Sequence, residues 1–326
     1  MSDALAHGAY DGAAGEADLH ALVETFFRST FSTDNPTITE AVKRMLAAGG
    51  KRLRPRITLL AAAACGGKAV DHLHLAAYME LIHVATLIHD DVVDNARTRR
   101  GVNATAVDYG NRVSVLAGDY LFAWIFKNVT ANYRPPIPHI LSATLAGICD
   151  GEVLQLQALG NLDLSLESYV EIARKKTASL FAASAECGAI MGAAGRGEIA
   201  GLRAFGDAFG IAFQMKDDLL DIVADERSLG KPVGNDLTER KVTIPLIEAL
   251  AAGDGSFRDE VRRFYDGSAN EAIPAIVEGI ERQGGLAATR AEIAAFVERA
   301  KAALEPIAPG PAKEELAKLA DALLGE

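Results

Sequence analysis

Apolar residues, mainly alanine, leucine and isoleucine, recur at helical spacing along almost the whole chain. Because the strand-like alternation of β-branched and polar residues is missing, the pattern predicts a nearly all-α protein. Glycine and proline interrupt the pattern at Gly66-Gly67, 135–138, 159–165, 225–240 and 305–311. Between these breaks the periodicity predicts helices over about 37–48, 53–65, 70–94, 107–132, 138–158, 168–194, 198–224, 241–252, 270–283, 285–304 and 311–324.

The chain contains no Ser/Gly-rich linker and no repeat of about 20–50 residues. We therefore expect one all-α domain over residues 21–326, in which long helices surround a deep central cavity. Residues 1–20 are rich in alanine and glycine, which predicts a flexible N-terminal tail. Ser168 and Glu171 have the spacing of a capping box, which would open the helix predicted over 168–194.

The 326 residues carry a formal net charge of −11, and the pI is near 5.2. This balance argues against a nucleic-acid surface, and a chain of this charge would need local cations or metal ions to bind anionic substrates. Cys65, Cys149 and Cys187 show neither metal-ligand spacing nor a disulfide framework, which indicates reduced thiols in a cytoplasmic protein. Residues 1–20 lack a secretory signal pattern, and no apolar run predicts a membrane span.

Two aspartate clusters of the form DDxxD end apolar helical runs about 125 residues apart. Their members are Asp90, Asp91 and Asp94 in the first cluster, and Asp217, Asp218 and Asp221 in the second. Helical residues four apart share a face, so each cluster holds two carboxylates that repel unless a cation bridges them. Mg2+ suits this spacing, because it takes one or two carboxylates together with water and phosphate oxygens. A single acidic cluster is usually a solvated helix face, but two with apolar flanks predict carboxylates that converge on one cavity.

Basic and polar residues that complement these carboxylates occur in several places. Residues 49–55 read Gly-Gly-Lys-Arg-Leu-Arg-Pro, and three cations after two glycines at a helix start form a compact anion site. The spacing differs from that of a P-loop, and a basic surface turn is the alternative. The other candidates are Arg99 and Arg100, Lys231 and Lys241, Lys176-Thr177, Gln214, and His83, although a lone histidine is more often structural.

Together these segments resemble the trans-isoprenyl (polyprenyl) diphosphate synthases, especially the bacterial long-chain members. The resemblance runs from about residue 30 to 324 and is carried by GGKRLRP, ELIHVATLIHDDVVDNARTRRG, VLAGDYLFA, GE..Q at 151–155, KTASLFAASAECGA, AFQMKDDLLDI, GKPVGNDL and ERKVTIPLI. It implies an isoprenoid-synthase-type helical bundle around a deep central cavity, usually as a homodimer. It also implies a Mg2+-dependent head-to-tail (1′-4) condensation of isopentenyl diphosphate with an allylic diphosphate to give an all-trans polyprenyl diphosphate.

The resemblance implies a role for each candidate residue. The six aspartates would ligate magnesium, as three ions bound together with diphosphate, and Asp90, Asp94 and Asp217 would be catalytic with Lys176, Thr177 and Gln214. The allylic diphosphate would be held by Arg99, Lys176, Lys231 and Lys241, and isopentenyl diphosphate by Lys51, Arg54, His83 and Arg100. Thr177 and Gln214 would face the reacting carbons.

The implied chemistry needs no protein nucleophile. The allylic C–O bond ionises, the double bond of isopentenyl diphosphate attacks the carbocation, and the departing diphosphate removes the proton. This agrees with a sequence that lacks a convincing Ser-His-Asp or Cys-His constellation. Water must be excluded, because it would quench the cation.

Small residues precede the first cluster where the product chain would grow. Ala85 and Thr86 lie five and four residues before Asp90, about 6–8 Å along the helix at 1.5 Å per residue. An aromatic side chain there would block a product tunnel early. Small side chains about one helical turn from Asp90 therefore predict a long-chain product, on the order of six to ten isoprene units. A short-chain geranylgeranyl or farnesyl diphosphate synthase is the alternative.

Two features depart from the family pattern. Helix geometry turns Lys216 away from Asp217, so we expect it to be peripheral, and the C-terminal Leu-Leu-Gly-Glu lacks the terminal basic residue of many relatives. Three other functions fit parts of the sequence. A type I terpene cyclase would replace the second DDxxD and lack GGKRLRP, and a metal phosphohydrolase built on His83 and His89-Asp90 would leave the second cluster unexplained. A non-catalytic partner subunit would tend to lose metal ligands.

Overall fold

The computed structural model of the protein describes residues 21–27, 31–223, 234–253, 255–267 and 272–325. Within these residues the protein consists of helices and one short hairpin, so the all-α prediction is confirmed. The predicted N-terminal tail, residues 1–20, lies outside the described residues. The α-helices are α1 (21–27), α2 (Pro36–Ala47), α3 (Leu53–Ala64), α4 (Leu73–Val93), α5 (Thr105–Asn132), α6 (Ile137–Gln157), α7 (Leu166–Ala173), α8 (Ser179–Met191), α9 (Arg196–Val223), α10 (Asn235–Thr238), α11 (Ile244–Ala252), α12 (Gly255–Gly267), α13 (Ile273–Arg282), α14 (Gly285–Ala303) and α15 (Pro311–Asp321).

Backbone contacts group the chain into two compact units. The first consists of Met1–Pro138, Ser184–Ile199 and Gly310–Ala312, and the second of His139–Ala183, Ala200–Pro309 and Lys313–Glu326. A 3-10 turn (Ala69–His72) precedes α4 in the first unit, and a π-helical segment (Arg174–Ala178) follows α7 in the second. The single domain expected from the sequence stays a prediction.

Helix α4 forms the centre of the first unit, where it packs against α2, α3 and α5. Most of its positions between Leu75 and Ile88 are buried, because the helix is apolar on nearly every face. Helix α5 approaches it closely at Gly118, where a Cβ atom would overlap the ring of His89. Gly118 therefore sets the separation of the two helices beside the first aspartate cluster.

A hairpin that helical periodicity did not predict follows α4. Strands β1 (Thr98–Arg99) and β2 (Val102–Asn103) pair antiparallel, with Arg99 opposite Val102. The two connecting residues, Arg100 and Gly101, have φ values of 51° and 77°. Positive φ at both central residues is the requirement of a type I′ turn, which glycine meets without strain. Strands of two residues are too short to give a periodic signal in the sequence.

In the second unit, α9 packs against the π-helical segment that carries Thr177 and against the start of α8. Phe209 and Phe213, four residues apart on α9, contact the ring of Phe181 at centroid distances of 5.2 and 5.4 Å. Gly210 lies on the same helix, where a Cβ atom would collide with Ala178. The contact therefore needs a residue without a side chain at this turn of α9.

Two local predictions need correction. The helix predicted over 168–194 begins at Leu166, and its N-cap is Ser165, whose hydroxyl accepts a hydrogen bond from the Ser168 N–H at 3.1 Å. A cap residue needs non-helical dihedral angles, and Ser165 is extended whereas Ser168 is already helical. The capping box predicted at Ser168 is therefore wrong.

Helix α12 was missed because charged residues and flanking glycines dominate its sequence. Its apolar side chains Phe257, Val261 and Phe264 are buried and share one face at spacings of four and three residues. No helix among the described residues combines the length and apolarity needed to cross a membrane.

Candidate active site

A turn of glycines and basic residues leads into α3 in the first unit. Gly49 and Gly50 have φ values of 77° and 149°, and Arg52 has a left-handed φ of 47°. Lys51 is exposed, whereas Arg52 and Arg54 are only 3% and 8% exposed. The turn therefore separates its cations, with Lys51 at the surface and the two arginines inside the unit.

Arg52 is held inside by two carboxylates and a carbonyl group. Its guanidinium donates to Glu24 at 2.6 Å, to Glu80 at 3.0 Å and to the carbonyl of Leu46 at 2.7 Å. It also lies over the ring of Phe27, 5.1 Å from the centroid. These contacts tie the basic turn to α1, α2 and α4, so Arg52 fixes the turn instead of presenting a charge to a ligand. Sequence reasoning gave Arg52 no separate role.

His83, on α4, lies among arginines. Burial lowers the pKa of His83 well below its ordinary value, and the positive charges of Arg54, Arg100, Arg99 and Arg52 lower it further. The imidazole is therefore neutral at pH 7, and offers one hydrogen-bond donor and one acceptor. The fold thus brings His83 together with Arg54, Arg99 and Arg100, which the sequence had predicted to hold diphosphates.

The first aspartate cluster ends α4. Asp90 and Asp94 are half-exposed, and the Asp94 N–H donates to the carbonyl of Asp90 at 2.8 Å, which places them one turn apart. Asp91 is fully buried, and Arg99 donates two hydrogen bonds to its Oδ1 at 2.8 and 2.6 Å. Burial raises the pKa of Asp91, and the charge of Arg99 opposes that shift. Asp91 and Arg99 therefore pair with each other and anchor the hairpin to α4.

Arg100, in the turn of the hairpin, reaches the glycines that precede Lys51. It donates to the carbonyl of Gly49, and a Cβ atom at position 50 would lie 2.6 Å from its Nη1. A side chain at position 50 would therefore displace this guanidinium, and the φ of 149° there also favours glycine. The basic turn meets α4 and the hairpin here, although Arg100 and Gly49 are 51 residues apart in sequence, and the three segments concentrate positive charge.

A pocket in the second unit lies beside the π-helical segment. Its lining includes Gln155, Tyr169, Lys176, Thr177, Gln214, Asp218 and Lys241. Lys176 forms an ion pair with Glu152 at 2.6 Å and donates to Gln155 Oε1 at 2.8 Å. Gly151 permits this approach, because a Cβ atom there would lie 2.6 Å from the Lys176 backbone nitrogen. The sequence indicated Glu152 and Gln155 only as part of the family motif. Their contacts with Lys176 are visible only in the structure.

Four side chains of the pocket form a hydrogen-bonded chain. The Thr177 hydroxyl donates to Gln214 Oε1 at 2.7 Å, and Gln214 Nε2 donates to Asp218 Oδ1 at 2.8 Å. The Tyr169 hydroxyl donates to Asp218 Oδ2 at 2.6 Å. Burial raises the pKa of Asp218 to about 6, and the hydrogen bonds from Tyr169 and Gln214 oppose that shift. Burial and the nearby carboxylate raise the pKa of Tyr169 well above its usual value, so its hydroxyl stays protonated.

The other residues of the second cluster differ in environment. Asp217 is exposed, whereas Asp221 is 1% exposed and its Oδ2 accepts a hydrogen bond from the Asp236 N–H at 3.0 Å. The Asp221 carbonyl also accepts from the Gly234 N–H at 2.8 Å, which holds the start of α10. Asp221 therefore stabilises the chain entering α10.

The structure describes two of the three lysines predicted near the second cluster. Lys241 is half-buried and pairs with Glu239 at 2.5 Å, while Lys231 lies outside the described residues. Lys216 points away from the pocket, as helix geometry predicted, and donates to the carbonyls of Ala322 and Gly325 at 3.2 and 2.5 Å. It anchors the C-terminal segment to α9.

The two residues predicted to govern chain length lie side by side on α4. Ala85 is fully buried, whereas Thr86 is half-exposed and its hydroxyl donates to the His83 carbonyl at 2.8 Å. Of the two, only Thr86 can therefore contact a ligand without repacking of the core.

The carboxylates fit a hard cation that shares its coordination with a substrate. No three His, Cys, Asp or Glu side chains form a metal site in the part of the chain that the structure describes. Mg2+ does not need such a site, because it uses one or two carboxylates and completes its shell with water and phosphate. The accessible aspartates are Asp90, Asp94 and Asp217, and the buried ones that accept hydrogen bonds are Asp91, Asp218 and Asp221. The first three fit the ion best.

Comparison with known proteins supports the family resemblance. The polyprenyl synthetase family model matches residues 35–280. A short chain isoprenyl diphosphate synthase of Methanothermobacter thermautotrophicus is 37% identical, with 93% of this chain and 95% of the relative covered. An octaprenyl diphosphate synthase of Escherichia coli is 37% identical over 89% of this chain and 90% of the relative. The crystal structure of a decaprenyl diphosphate synthase from Rhodobacter capsulatus is similar with a TM-score of 0.88 and 39% identity, covering 94% of this chain and 96% of that one. The resemblance drawn from the motifs is confirmed.

Proposed function

Because the chain belongs to the polyprenyl synthetase family and is a trans-prenyltransferase that elongates prenyl chains, we propose that it condenses isopentenyl diphosphate with an allylic diphosphate in a Mg2+-dependent, head-to-tail reaction. The observation that carries this proposal is the neutral His83 among Arg54, Arg99 and Arg100 beside the acidic end of α4. Guanidinium groups bind phosphate oxygens through paired hydrogen bonds, so their concentration suits a diphosphate.

Isopentenyl diphosphate is assigned to the basic site of the first unit. Lys51 and Arg54 supply charge from the turn, Arg100 supplies it from the hairpin, and the neutral His83 donates a hydrogen bond. Arg52 and Glu80 keep the turn in place, because their ion pair is buried and bonded to three elements. Nothing in this site acts as a nucleophile, which suits a substrate that is held by its diphosphate and reacts through its double bond.

The allylic diphosphate is assigned to Lys176, Lys231, Lys241 and Arg99. In this proposal Lys176 exchanges Glu152 for a diphosphate oxygen, while Gln155 keeps the ammonium group oriented. Thr177 and Gln214 line the same pocket and face the carbons from which diphosphate departs. Their oxygen atoms present negative partial charge to the carbocation, and the apolar lining contributed by Ile172 and Val242 excludes water.

Magnesium is assigned to Asp90 and Asp94 at the end of α4, and Asp217 on α9 is proposed as a further ligand. Three ions are expected with bound diphosphate. When bound, Mg2+ neutralises the charge that develops on the leaving diphosphate. The residues of the chain hold both diphosphates and orient the double bond toward the cation. The proton lost from isopentenyl diphosphate goes to the departing diphosphate, so the chain needs no dedicated base.

We propose a long-chain product, with a short-chain product as the alternative. The relatives include a short chain synthase and an octaprenyl diphosphate synthase at equal identity, so the names alone do not decide product length. The support comes from Thr86, a small, half-exposed side chain one turn before Asp90. An aromatic residue there would shorten the space available to the product.

We also propose that the protein is a homodimer. Helix α6 exposes a stripe of Ala146, Cys149, Val153 and Leu156, with Val153 and Leu156 51% and 45% exposed. The spacings of three, four and three residues are those of a helix-pairing seam, and a second copy of the chain presents the same stripe. Sedimentation should give a dimer for the wild type and a monomer for Val153→Glu/Leu156→Glu, whereas Gln157→Glu on the same helix should stay dimeric. A monomeric wild type would contradict this assignment.

The proposed reaction is tested by incubating the protein with isopentenyl diphosphate, Mg2+ and each allylic starter in turn, with products sized by mass spectrometry. The expected products grow in five-carbon steps and disappear with EDTA. Asp90→Asn and Asp217→Asn should each lower kcat by about 10²–10³-fold. Release of phosphate alone would indicate a hydrolase, and a cyclic hydrocarbon would indicate a cyclase. Activity only after addition of another chain would indicate a partner subunit.

The cellular location stays a proposal. Cys65, Cys149 and Cys187 are free thiols, which supports the reducing environment of the cytoplasm.

A further inference from the structure

Asp218 fixes which group donates and which accepts in each hydrogen bond between Thr177 and Asp218. The Tyr169 hydroxyl and the Gln214 NH2 group both donate to the Asp218 carboxylate. Gln214 therefore presents its NH2 group to Asp218, at 2.8 Å, and its carbonyl oxygen to the other side. That carbonyl lies 2.7 Å from the Thr177 hydroxyl and can only accept, so Thr177 must donate its single proton to it.

This order of donors and acceptors determines whether the Thr177 hydroxyl presents its proton or its lone pairs to the pocket. A hydroxyl that has donated its proton within the protein has only lone pairs left to offer. Thr177 is 9% exposed and lines the pocket with Gln214, Tyr169 and Lys176. The hydroxyl therefore presents negative partial charge there, which stabilises a carbocation, whereas an O–H proton pointing into the pocket would repel it. If the Gln214 amide were reversed, Thr177 would turn its proton toward the pocket.

The environment of Asp218 also distinguishes it from a metal ligand. Its side chain is buried, with 4% exposure, and each oxygen accepts a hydrogen bond, from Tyr169 at 2.6 Å and from Gln214 at 2.8 Å. Its neighbour Asp217 is exposed. A cation bound to Asp218 Oδ1 would share that oxygen with the Gln214 NH2 group and repel its partly positive hydrogens.

We propose that Asp218 and Tyr169 are positioning residues that orient the Gln214 amide, and through it the Thr177 hydroxyl, so that Thr177 offers only lone pairs to the allylic cation. Asp218 acts through these side chains and does not ligate magnesium. The Tyr169 hydroxyl occupies the second carboxylate oxygen and holds Asp218 in the rotamer that reaches Gln214. This inference rests on the proposed prenyl transfer, since it assigns a function to the orientation of Thr177 in that reaction.

The kinetic test uses Asp218→Asn, which keeps the shape but introduces an NH2 group that can reverse the Gln214 amide. We expect kcat to fall by about 10²-fold, with KM for both diphosphates within about twofold of wild type, because the cation forms only during turnover. Tyr169→Phe should lower kcat by about tenfold, the effect of one hydrogen bond to a charged group. A rise in KM with unchanged kcat would overturn the proposal.

A double-mutant cycle shows whether the effect passes through Thr177. Thr177→Val should itself lower kcat, and Asp218→Asn should then add less than about twofold in the Thr177→Val background, because the two act in one chain. Fully additive losses would overturn the proposal. Thermal melts of all variants separate these effects from unfolding, and Tyr169→Phe provides a milder second variant.

Metal binding gives a readout that does not depend on turnover. Mn2+ is titrated with inorganic pyrophosphate present and free Mn2+ is followed by electron paramagnetic resonance. Asp218→Asn should match the wild type in stoichiometry and affinity, whereas Asp217→Asn should weaken binding about tenfold or more. Equal weakening by both substitutions would overturn the assignment of Asp218. A wild type that binds Mn2+ but forms no prenyl product would overturn the proposed reaction and still leave this measurement decisive for Asp218.

Discussion

The guanidinium of Arg52 lies 3.0 Å from the carboxylate of Glu80, and both side chains are almost completely buried at 2% and 3% exposure. Arg52 occupies a left-handed conformation in the middle of the basic turn, where most residues other than glycine are strained. The pair therefore holds a turn that would otherwise relax. It also commits Arg52 to carboxylates within the protein, so of the three cations of Gly-Gly-Lys-Arg-Leu-Arg we expect the exposed Lys51 and the buried Arg54 to bind a ligand.

Removing Glu80 should destabilise the protein strongly. Glu80→Ala leaves Arg52 buried with Glu24 as its one remaining carboxylate partner, and removing one partner of a buried ion pair costs about 3–5 kcal/mol. Urea unfolding of Glu80→Ala should show this loss, and Glu24→Gln should show a smaller one, because Glu24 is 23% exposed. A Glu80→Ala midpoint equal to that of the wild type would rule out a structural role for the pair.

Stability should fall as the pH drops below about 6.5. His83 has a folded-state pKa well below its ordinary value of 6.5, and burial lowers the pKa of His72 and His74 as well. In acid these histidines bind protons more readily in the unfolded chain than in the folded one, so their contribution to stability is fully present above pH 6.5 and decreases below it. Melting temperatures measured from pH 5 to 8 should show this slope, and His83→Gln should flatten it. An unchanged slope in the variant would contradict the neutral state of His83.

Gly151→Ala should damage the site, and Gly147→Ala should not. A Cβ atom at position 151 would lie 2.6 Å from the Lys176 nitrogen, whereas position 147, one turn away on α6, has no atom within 4 Å. We expect Gly151→Ala to cost about 1–3 kcal/mol of stability and to lower kcat about tenfold, because it displaces the π-helical segment. Gly147→Ala should be neutral or stabilise by up to about 1 kcal/mol through helix propensity. Similar kinetics for the two variants would show that the approach of α6 to Lys176 is unimportant.

Thr86→Phe should shorten the product. Thr86 is half-exposed one turn before Asp90, so an aromatic ring can enter the space beside it. Ala85 is fully buried, and Ala85→Phe should instead overpack the core at a cost of about 1–3 kcal/mol. Thr86→Val, which keeps the volume, is the matched control and should leave product length unchanged. Mass spectra with identical product lengths for Thr86→Phe and the wild type would exclude this residue as a determinant.

Lys216→Met should release the C-terminal segment. Lys216 donates to the carbonyls of Ala322 and Gly325 at 3.2 and 2.5 Å, where α15 has ended and its last carbonyls need donors. We expect faster trimming by a carboxypeptidase and a small loss of melting temperature. Lys313→Met removes a comparable bond to the carbonyl of Ile307 outside the C-terminal end, and should not change the trimming rate. Equal trimming of both variants would argue against an anchoring role for Lys216.

Sequence patterns predicted most of the helices to within a few residues, because long amphipathic or apolar runs with glycine and proline between them leave little choice of element. Helix α12 and the hairpin were missed for opposite reasons. The charged residues of α12 outnumber the apolar ones that it buries, and the strands of the hairpin are too short for any period. The cap of α7 was misplaced by three residues, because Ser165 and Ser168 are chemically equivalent and only backbone conformation distinguishes them.

By itself the sequence determined the helical class, the family, and the residues that carry the candidate chemistry, because these follow from periodicity and from motifs that are local in the chain. The tertiary structure decided which of these residues are accessible and which are used to hold others. The sequence does not distinguish Asp90 from Asp91, or Asp217 from Asp218. In the structure Asp90 is half-exposed and Asp217 is exposed, whereas Asp91 and Asp218 are buried and accept hydrogen bonds. Burial and partners depend on how other elements fold back onto the helix, the hairpin that carries Arg99 in one case and the more distant helix that carries Tyr169 in the other, so helical periodicity alone cannot encode them.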